Sequence, residues 1–397
     1  MPTVQSIIPV FYTRCVNAPY TEGHIQTIRM MTRSLLLHNV KSVILNFKYG
    51  VNRLSVEDKY VSKYRIEQRI PLVARELLYK FSVPIAAYAL SMETLKTLRF
   101  FLLENTLKSN RYVVNIVNCS RYPRMFLSRL SRAPIILHFY MPNIRLKPIT
   151  RVLTEKADLV IASSNTVAQH LEKIGVKREK IRVVYPPIDT ELYKPRKKEW
   201  IRSQLGLPTK AKIIIYIGGL KRTRFPEEII LGAMKKLTKE IPEALLLVFI
   251  PRGAQNIKRL QEISSFSQNI RIYAKDLTDT EKSKIYSLAD TFLFPKFVTR
   301  TAIEPPLTVL EAMSSGTPVV VPEISCLSEI VIDNENGFVF ERDDSEVLAN
   351  KLADVLLNPK LRIKVSQHAR QTINQKASLP VTGAIMIELH RRLLNSF

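Results

Sequence analysis

The chain is poor in cysteine. Cys15, Cys119 and Cys326 are scattered over 397 residues, which excludes a disulfide framework and zinc-ligand spacing and points to a reducing compartment. Long apolar runs are missing as well. A run such as ALLLVFI (244–250) is about a third of the roughly 20 residues that a membrane span needs. The opening MPTVQSIIPVFYTRC has no basic stretch ahead of its apolar residues, so no signal peptide is expected. The location implied is cytoplasmic, with the protein soluble or peripheral on a membrane. No Walker lysine loop and no set of three spaced glycines follows the first strand-like segment. No Asp-x-Asp pair stands at a strand end, and no Cys/His cluster offers zinc ligands. Neither a metal nor a cofactor is therefore expected. Acidic residues are the last shortage: 35 Asp and Glu face 60 Lys and Arg, a net charge of +25.

What is present is a folding composition, with 46% hydrophobic residues, in a chain too long for one core and suited to two domains. Short β-branched runs alternate with helical patterns. Strands are read at 4–12, 40–48, 111–120, 134–140, 158–164 and 180–188. Helices are read at 23–39, 122–131, 144–157 and 165–175, the last stopped by Gly175, and a long basic helical region is read through 56–110. The polar, proline-bearing segment 189–200 reads as a linker. After it the alternation restarts at KAKIIIYIGGL (210–220) and continues to a final helix, IMIELHRRLLNSF. Near-continuous apolar strands alternating with helices mean parallel sheets covered on both faces. The expectation is α/β: two doubly wound, Rossmann-like domains, 1–195 and 196–375, facing across a cleft lined by strand C-termini. A helical segment, 376–397, could return to the first domain.

The segment EPPLTVLEAMSSGTPVV (304–320) places two carboxylates, Glu304 and Glu311, in a basic chain. Leu307, Leu310 and Met313 mark a helix beginning near Pro306, since proline is tolerated in a first turn. The amides of Leu307, Thr308 and Val309 would then point out of its N-terminus toward an anion. Glu304 would sit just ahead of them and Glu311 on the helix flank, each able to accept hydroxyls. The plainer alternative is that Glu304 favours the helix dipole and Glu311 is solvated. A second motif, GGLKRTRFPEE (218–228), follows a strand. Gly218 and Gly219 let the backbone pass close to a ligand, and Lys221, Arg222 and Arg224 could neutralise a diphosphate. The same residues would also make an ordinary basic turn. His138 ends an apolar strand, where a structural histidine is the alternative to a ligand contact. Gly23 opens a helix after the first strand, in YTEGHIQTI.

EPPLTVLEAMSSGTPVVVPEISCLSEIVIDNENGFVF resembles the signature of the family 4, or group 1, glycosyltransferases of GT-B fold. The matching residues are Glu304, Glu311, Ala312, Met313, Gly316, Thr317, Pro318, Glu329, Asn336 and Gly337. The resemblance runs on through IYSLADTFLFPK, ADLVIASSNTVAQHL and VVYPPIDTELYKP. It implies that Glu304 meets hydroxyls of the transferred sugar, Glu311 the ribose of the nucleotide, and His138 the donor sugar and acceptor. Gly23 would lie near the diphosphate. Gly219 stands where the family has arginine and Arg224 where it has lysine, with Lys221 or Arg222 a substitute for the arginine. The spacer between the glutamates is one residue shorter than the family's.

The function implied is a retaining glycosyltransferase of hexosyltransferase type, using a nucleotide-diphosphate sugar, with same-face attack by the acceptor. A GT-B phosphorylase or sugar-nucleotide epimerase is the alternative reading. A basic nucleic-acid-binding protein is a weaker one, because aromatics are not interleaved with the basic runs. The positive charge is uneven: residues 1–195 hold 30 Lys and Arg against 13 Asp and Glu, the remainder 30 against 22. Such a surface suits a glycan or glycolipid acceptor at an anionic membrane, and it equally suits plain solvation. The basic residues of 53–80, and Arg121, Arg124, Arg129 and Arg132 around Met125, Phe126 and Leu130, are the expected membrane-facing set.

Overall fold

The computed structural model describes residues 8–13, 23–48, 62–67, 112–117, 133–142, 147–251, 257–296, 303–341 and 343–396. Two compact units divide the chain. One takes 1–187, 301–303 and 379–397; the other takes 188–300 and 304–378.

The first unit runs β1 (Ile8–Thr13), α1 (Gly23–Leu37), β2 (Val43–Lys48), β3 (Ser62–Glu67), β4 (Tyr112–Ile116), β5 (Ile135–Phe139), α2 (Lys147–Lys156), β6 (Leu159–Ala162), α3 (Asn165–Lys173) and β7 (Ile181–Val183). All seven strands pair in parallel, in the order β3-β2-β1-β4-β5-β6-β7. Buried strands divide their residues between two cores with period 2. Ile135, Leu137 and Phe139 join one core with Val160 and Ala162. Ile136 and Tyr140 join the other with Ile28, Met31 and Leu35 of α1. That second core is completed by the last helix of the chain, described below. Helix α3 starts at Ser164, whose hydroxyl accepts from Val167 N at 3.1 Å, and stops at Gly175, where φ is +92°.

The region 56–110 is not helical throughout, because 62–67 forms strand β3 beside β2. SKYRIE alternates polar and apolar residues, a strand period carried on a sheet edge where charged side chains are tolerated. The remainder of 56–110 lies outside the described residues. So do the proposed helix 122–131 with its arginines and, apart from the β3 residues, the basic stretch 53–80.

The second unit runs α4 (Lys198–Gln204), β8 (Lys212–Ile217), α5 (Glu227–Glu240), β9 (Ala244–Ile250), α6 (Ile257–Phe266), β10 (Ile270–Ala274), α7 (Asp279–Leu288), β11 (Thr291–Leu293), α8 (Leu307–Ser314), β12 (Val319–Pro322), α9 (Ser325–Ser328), β13 (Phe338–Phe340), α10 (Ser345–Leu357) and α11 (Pro359–Lys376). Its strands are parallel in the order β10-β9-β8-β11-β12-β13. The chain builds outward from β8 through β9 and β10, then jumps to the other side at β11. That reversal between β8 and β11 is where doubly wound sheets bind ligands, outside the strand C-termini.

The segment read as a linker is packed into this unit. Asp189 Oδ1 accepts from Glu191 N and Leu192 N, and the Arg370 guanidinium donates to the carbonyls of Tyr193 and Thr190. Lys198 and Arg202 of α4 reach Asp290 at 3.0 and 2.8 Å. Burial alone would raise the Asp290 pKa; Arg202 and then Lys198 hold it below its ordinary value.

The final helix, α12 (Leu379–Ser396), belongs to the first unit. Met386, Ile387 and Leu389 close the core over α1. A Cβ at Gly383 would collide with the Ser34 carbonyl, so the missing side chain is what lets the two helices meet. Among the described residues no helix is long and apolar enough to cross a membrane.

Candidate active site

The C-terminal ends of β8 and β11 gather most of the residues singled out above. After β8 the backbone turns at Gly218, where a Cβ would lie 2.6 Å from the Tyr216 hydroxyl. That hydroxyl donates to the Gly219 carbonyl at 2.8 Å and tethers the loop. Burial pushes the Tyr216 pKa up, with Arg224 opposing the shift, so the phenol stays a hydrogen-bond donor. Gly219 has nothing within 4 Å of its Cβ position, so space there does not require glycine. The Lys221 carbonyl accepts from the amides of Arg224 and Phe225, closing the turn. Lys221, Arg222 and Arg224 are exposed. Arg222 makes a solvated ion pair with Glu228, at 3.7 Å.

After β11 the chain passes Lys296 and, beyond residues outside the described set, reaches Glu304. Both side chains are buried, at 4% and 1% exposure. Helix α8 then begins at Pro306 with no side-chain cap. The Val309 amide donates to the Pro306 carbonyl at 3.0 Å, so it is not available outward as the sequence reading expects. Among the described residues the amides of Leu307 and Thr308 have no such bond.

Glu311 is neither solvated nor on an open flank. It is 5% exposed. Its two oxygens accept from Lys282 Nζ at 3.1 Å and from the Tyr286 hydroxyl at 2.9 Å. Lys282 also bridges Asp279 at 2.8 Å. Burial would lower the Lys282 pKa, but Glu311 and Asp279 reverse this and raise it. Burial, and then Glu311, raise that of Tyr286. A carboxylate has about four acceptor sites, so Glu311 is oriented by two donors and can still take more. Lys282 and Tyr286 are missed by the sequence reading, although their i, i+4 spacing on one helix face is a usable signal.

Lys296 is missed too, and it differs from Lys282. Among the described residues its Nζ has no hydrogen-bond partner. Burial, and after it the Arg224 charge, lower its pKa to about 8, against weaker opposing effects from Cys326 and Glu304. Arg224 and Glu304, from two other segments, thus both act on Lys296 electrostatically.

His138 and Gly23 belong to the first unit. Gly23 is the first residue of α1, and the loop before it lies outside the described residues. The His138 ring is fully buried, with its centroid 6.4 Å from that of Phe11 and 6.2 Å from that of Tyr140. Its Nε2 lies 3.1 Å from Asn115 Oδ1, and Asn115 Nδ2 lies 3.0 Å from His390 Nε2. His390 Nδ1 faces the Met386 carbonyl, which can only accept. Nδ1 of His390 therefore carries the proton, its Nε2 accepts from Asn115, and His138 donates from Nε2 to Asn115. Burial, and then His390, lower the His138 pKa to about 3, keeping the ring neutral.

Residues 197–372 match the family described as Glycosyl transferases group 1, and residues 77–192 match Glycosyltransferase Family 4. The chain is similar to a D-inositol 3-phosphate glycosyltransferase of Corynebacterium urealyticum, 29% identical over 253 residues, which are 61% of this chain and 58% of that relative. It thus spans less than two thirds of the relative's length. A glycosyltransferase from Rickettsia africae has a TM-score of 0.74 at 18% identity, covering 99% of this chain and 100% of the other. Anabaena HepE, solved with UDP and glucose, has a TM-score of 0.70 at 16% identity, covering 98% and 100%. At these identities the structural likeness is one of fold, the two-unit GT-B arrangement.

Proposed function

The chain belongs to the group 1 glycosyltransferases, and on that premise we propose that it moves a sugar from a nucleotide-diphosphate donor to a hydroxyl acceptor with retention of anomeric configuration. What supports the reading is the Gly218–Arg224 loop at the end of β8, the strand beside β11, with Arg224 and Glu304 both acting on the buried Lys296 that follows β11. In the proposal Glu311 accepts ribose hydroxyls, and the paired Lys282 and Tyr286 hold its orientation. Glu304 accepts hydroxyls of the transferred sugar. Arg224 and Lys221 face the diphosphate as its charge grows in the transition state, where preorganised donors act most strongly. The amides of Leu307 and Thr308 add two neutral donors on the same side. The bond from the anomeric carbon to the diphosphate breaks while the acceptor oxygen bonds on the same face, and the acceptor proton passes to the departing phosphate. His138 is given no part in that step, because its ring is enclosed in the core; it supports β5.

The acceptor proposed is a glycan or glycolipid presented at an anionic membrane surface. The support for it is the positive excess of residues 1–195. Incubation with UDP-, GDP- and ADP-sugars tests the reading, since a ligand that binds only the folded chain must raise its Tm. Products are then analysed with and without acceptor and phosphate. Stabilisation by one sugar nucleotide and acceptor-dependent transfer are expected. Rearranged donor without acceptor, or sugar phosphate formed from phosphate, would replace the proposal. Anionic vesicles should cosediment the protein at low salt and release it at high salt; no sedimentation would move the acceptor to a soluble molecule.

A further inference from the structure

At the carboxyl end of β11 the second unit holds a buried ammonium with no hydrogen-bond partner among the described residues. Lys296 stands three residues beyond Leu293, the last residue of that strand. It is 4% exposed, and the opposing effects of Cys326 and Glu304 do not offset its burial and the Arg224 charge. Removing an ammonium from water without pairing it is costly. Within the same unit Lys282 shows how the fold pairs a buried lysine for its own purposes, with two carboxylates at 2.8 and 3.1 Å. Lys296 instead sits at the β8–β11 reversal, where such sheets bind ligands, with the loop that carries Arg224 on the adjacent strand end.

We propose that Lys296 is a phosphate-binding residue, donating from its ammonium to the diphosphate oxygens of the donor nucleotide, together with Arg224 and the Leu307 and Thr308 amides at the start of α8. The proposal rests on the reading of the site given above. Lysine is a compact charge with three donors, suited to a phosphate that must be gripped and then released. Two neighbouring cations make a poor structural pair and a good clamp for an anion of more than one charge. The lowered Lys296 pKa, caused by burial and then by Arg224, fits the same geometry: the ammonium is disfavoured by its surroundings, and an anion would restore it. The sequence does not disclose any of this, because a lone lysine after an apolar strand looks like a surface residue.

The test uses the full chain as wild type, Lys296→Met and Lys296→Arg. Calorimetric titration with UDP, GDP and ADP identifies the nucleotide bound, and its monophosphate and nucleoside are then compared on all three proteins. Lys296→Met should weaken diphosphate binding by about tenfold or more, the loss of one charge-assisted contact, with nucleoside affinity kept. Lys296→Arg should retain more of the phosphate-dependent affinity. Without ligand the Tm of Lys296→Met should be equal to or above that of wild type, since an unpaired buried charge has gone; a lysine that merely held the fold together would lower it. Diphosphate affinity unchanged in Lys296→Met would remove Lys296 from the phosphate site while leaving the reading of the site intact. Failure of the wild type to bind any of the three nucleotides would overturn that reading and this inference with it.

Discussion

Among the described residues of the second unit two lysines are buried, Lys282 and Lys296, and they are held there in opposite ways. Lys282 on α7 meets Glu311 and Asp279 and lies 5.6 Å above the centre of the Tyr193 ring. The fold has more than offset its burial, and its pKa is raised. Lys296 has a similar depth and, among the described residues, no hydrogen-bond partner, and its pKa falls to about 8. The first lysine is part of what makes the structure stable. The second is a cost to the structure, and such costs gather where ligands act. Burial of a charge therefore separates support from site only when its partners are counted.

The largest effect expected from this contrast is on stability. Lys282→Met leaves Glu311 buried with one of its two donors gone, which should cost about 3–5 kcal/mol. A denaturant midpoint close to that of wild type would break the contrast. Next come the two glutamates. Glu304→Ala should lower turnover on the order of 100-fold, the scale for losing one transition-state contact, with little change in affinity for free nucleotide. Glu311→Gln should instead weaken nucleotide binding by about 1.5–3 kcal/mol; the opposite pattern in kinetics and calorimetry would exchange their roles.

A smaller effect sharpens the comparison through pH. The unfolded chain holds the Lys296 proton up to about 10.5 and the folded chain only to about 8. Between these values the unfolded state binds more protons, so stability rises with pH. The groups acting on Lys296 are Arg224, Cys326 and Glu304. Calorimetric melting of Lys296→Met across this window should lack that rise, and an identical pH profile in both proteins would refute the assignment. The smallest effect concerns Arg222, whose solvated pair with Glu228 is worth about 0–1 kcal/mol. Arg222→Ala should leave diphosphate binding nearly unchanged, whereas Arg224→Ala should weaken it and spare the nucleoside. Equal losses in isothermal titration would put both arginines on the ligand.

The sequence made the parallel sheets legible because interior strands such as β9 are near-continuous apolar runs, and β4 and β5 carry one polar residue each. Strand β3 escaped because an edge strand can carry charge, so SKYRIE reads like the basic helix around it. The segment 189–200 looked like a tether because its polarity is visible and its partners are not: Arg370, which binds its carbonyls, lies 177 residues beyond Tyr193. The same limit governs the site. Gly218, Glu304 and Glu311 stand in ordered motifs. Lys296 and the His138–Asn115–His390 chain become meaningful only through burial and through contacts such as the one that spans 275 residues.

That long-range tie bears on how the protein is made. The first unit leaves the ribosome first, yet its core over α1 is completed by Met386, Ile387 and Leu389, which are synthesised after all of 188–378. At about 5–20 residues per second, roughly 10–40 s separate the two. Through that interval the α1 face and the polar end of Asn115 remain uncovered, while the strands of the second unit, the first at Lys212–Ile217 and the last at Phe338–Phe340, are still being made. The core of the first unit is therefore complete only once the last helix has been made, whereas every strand of the second unit is made before it.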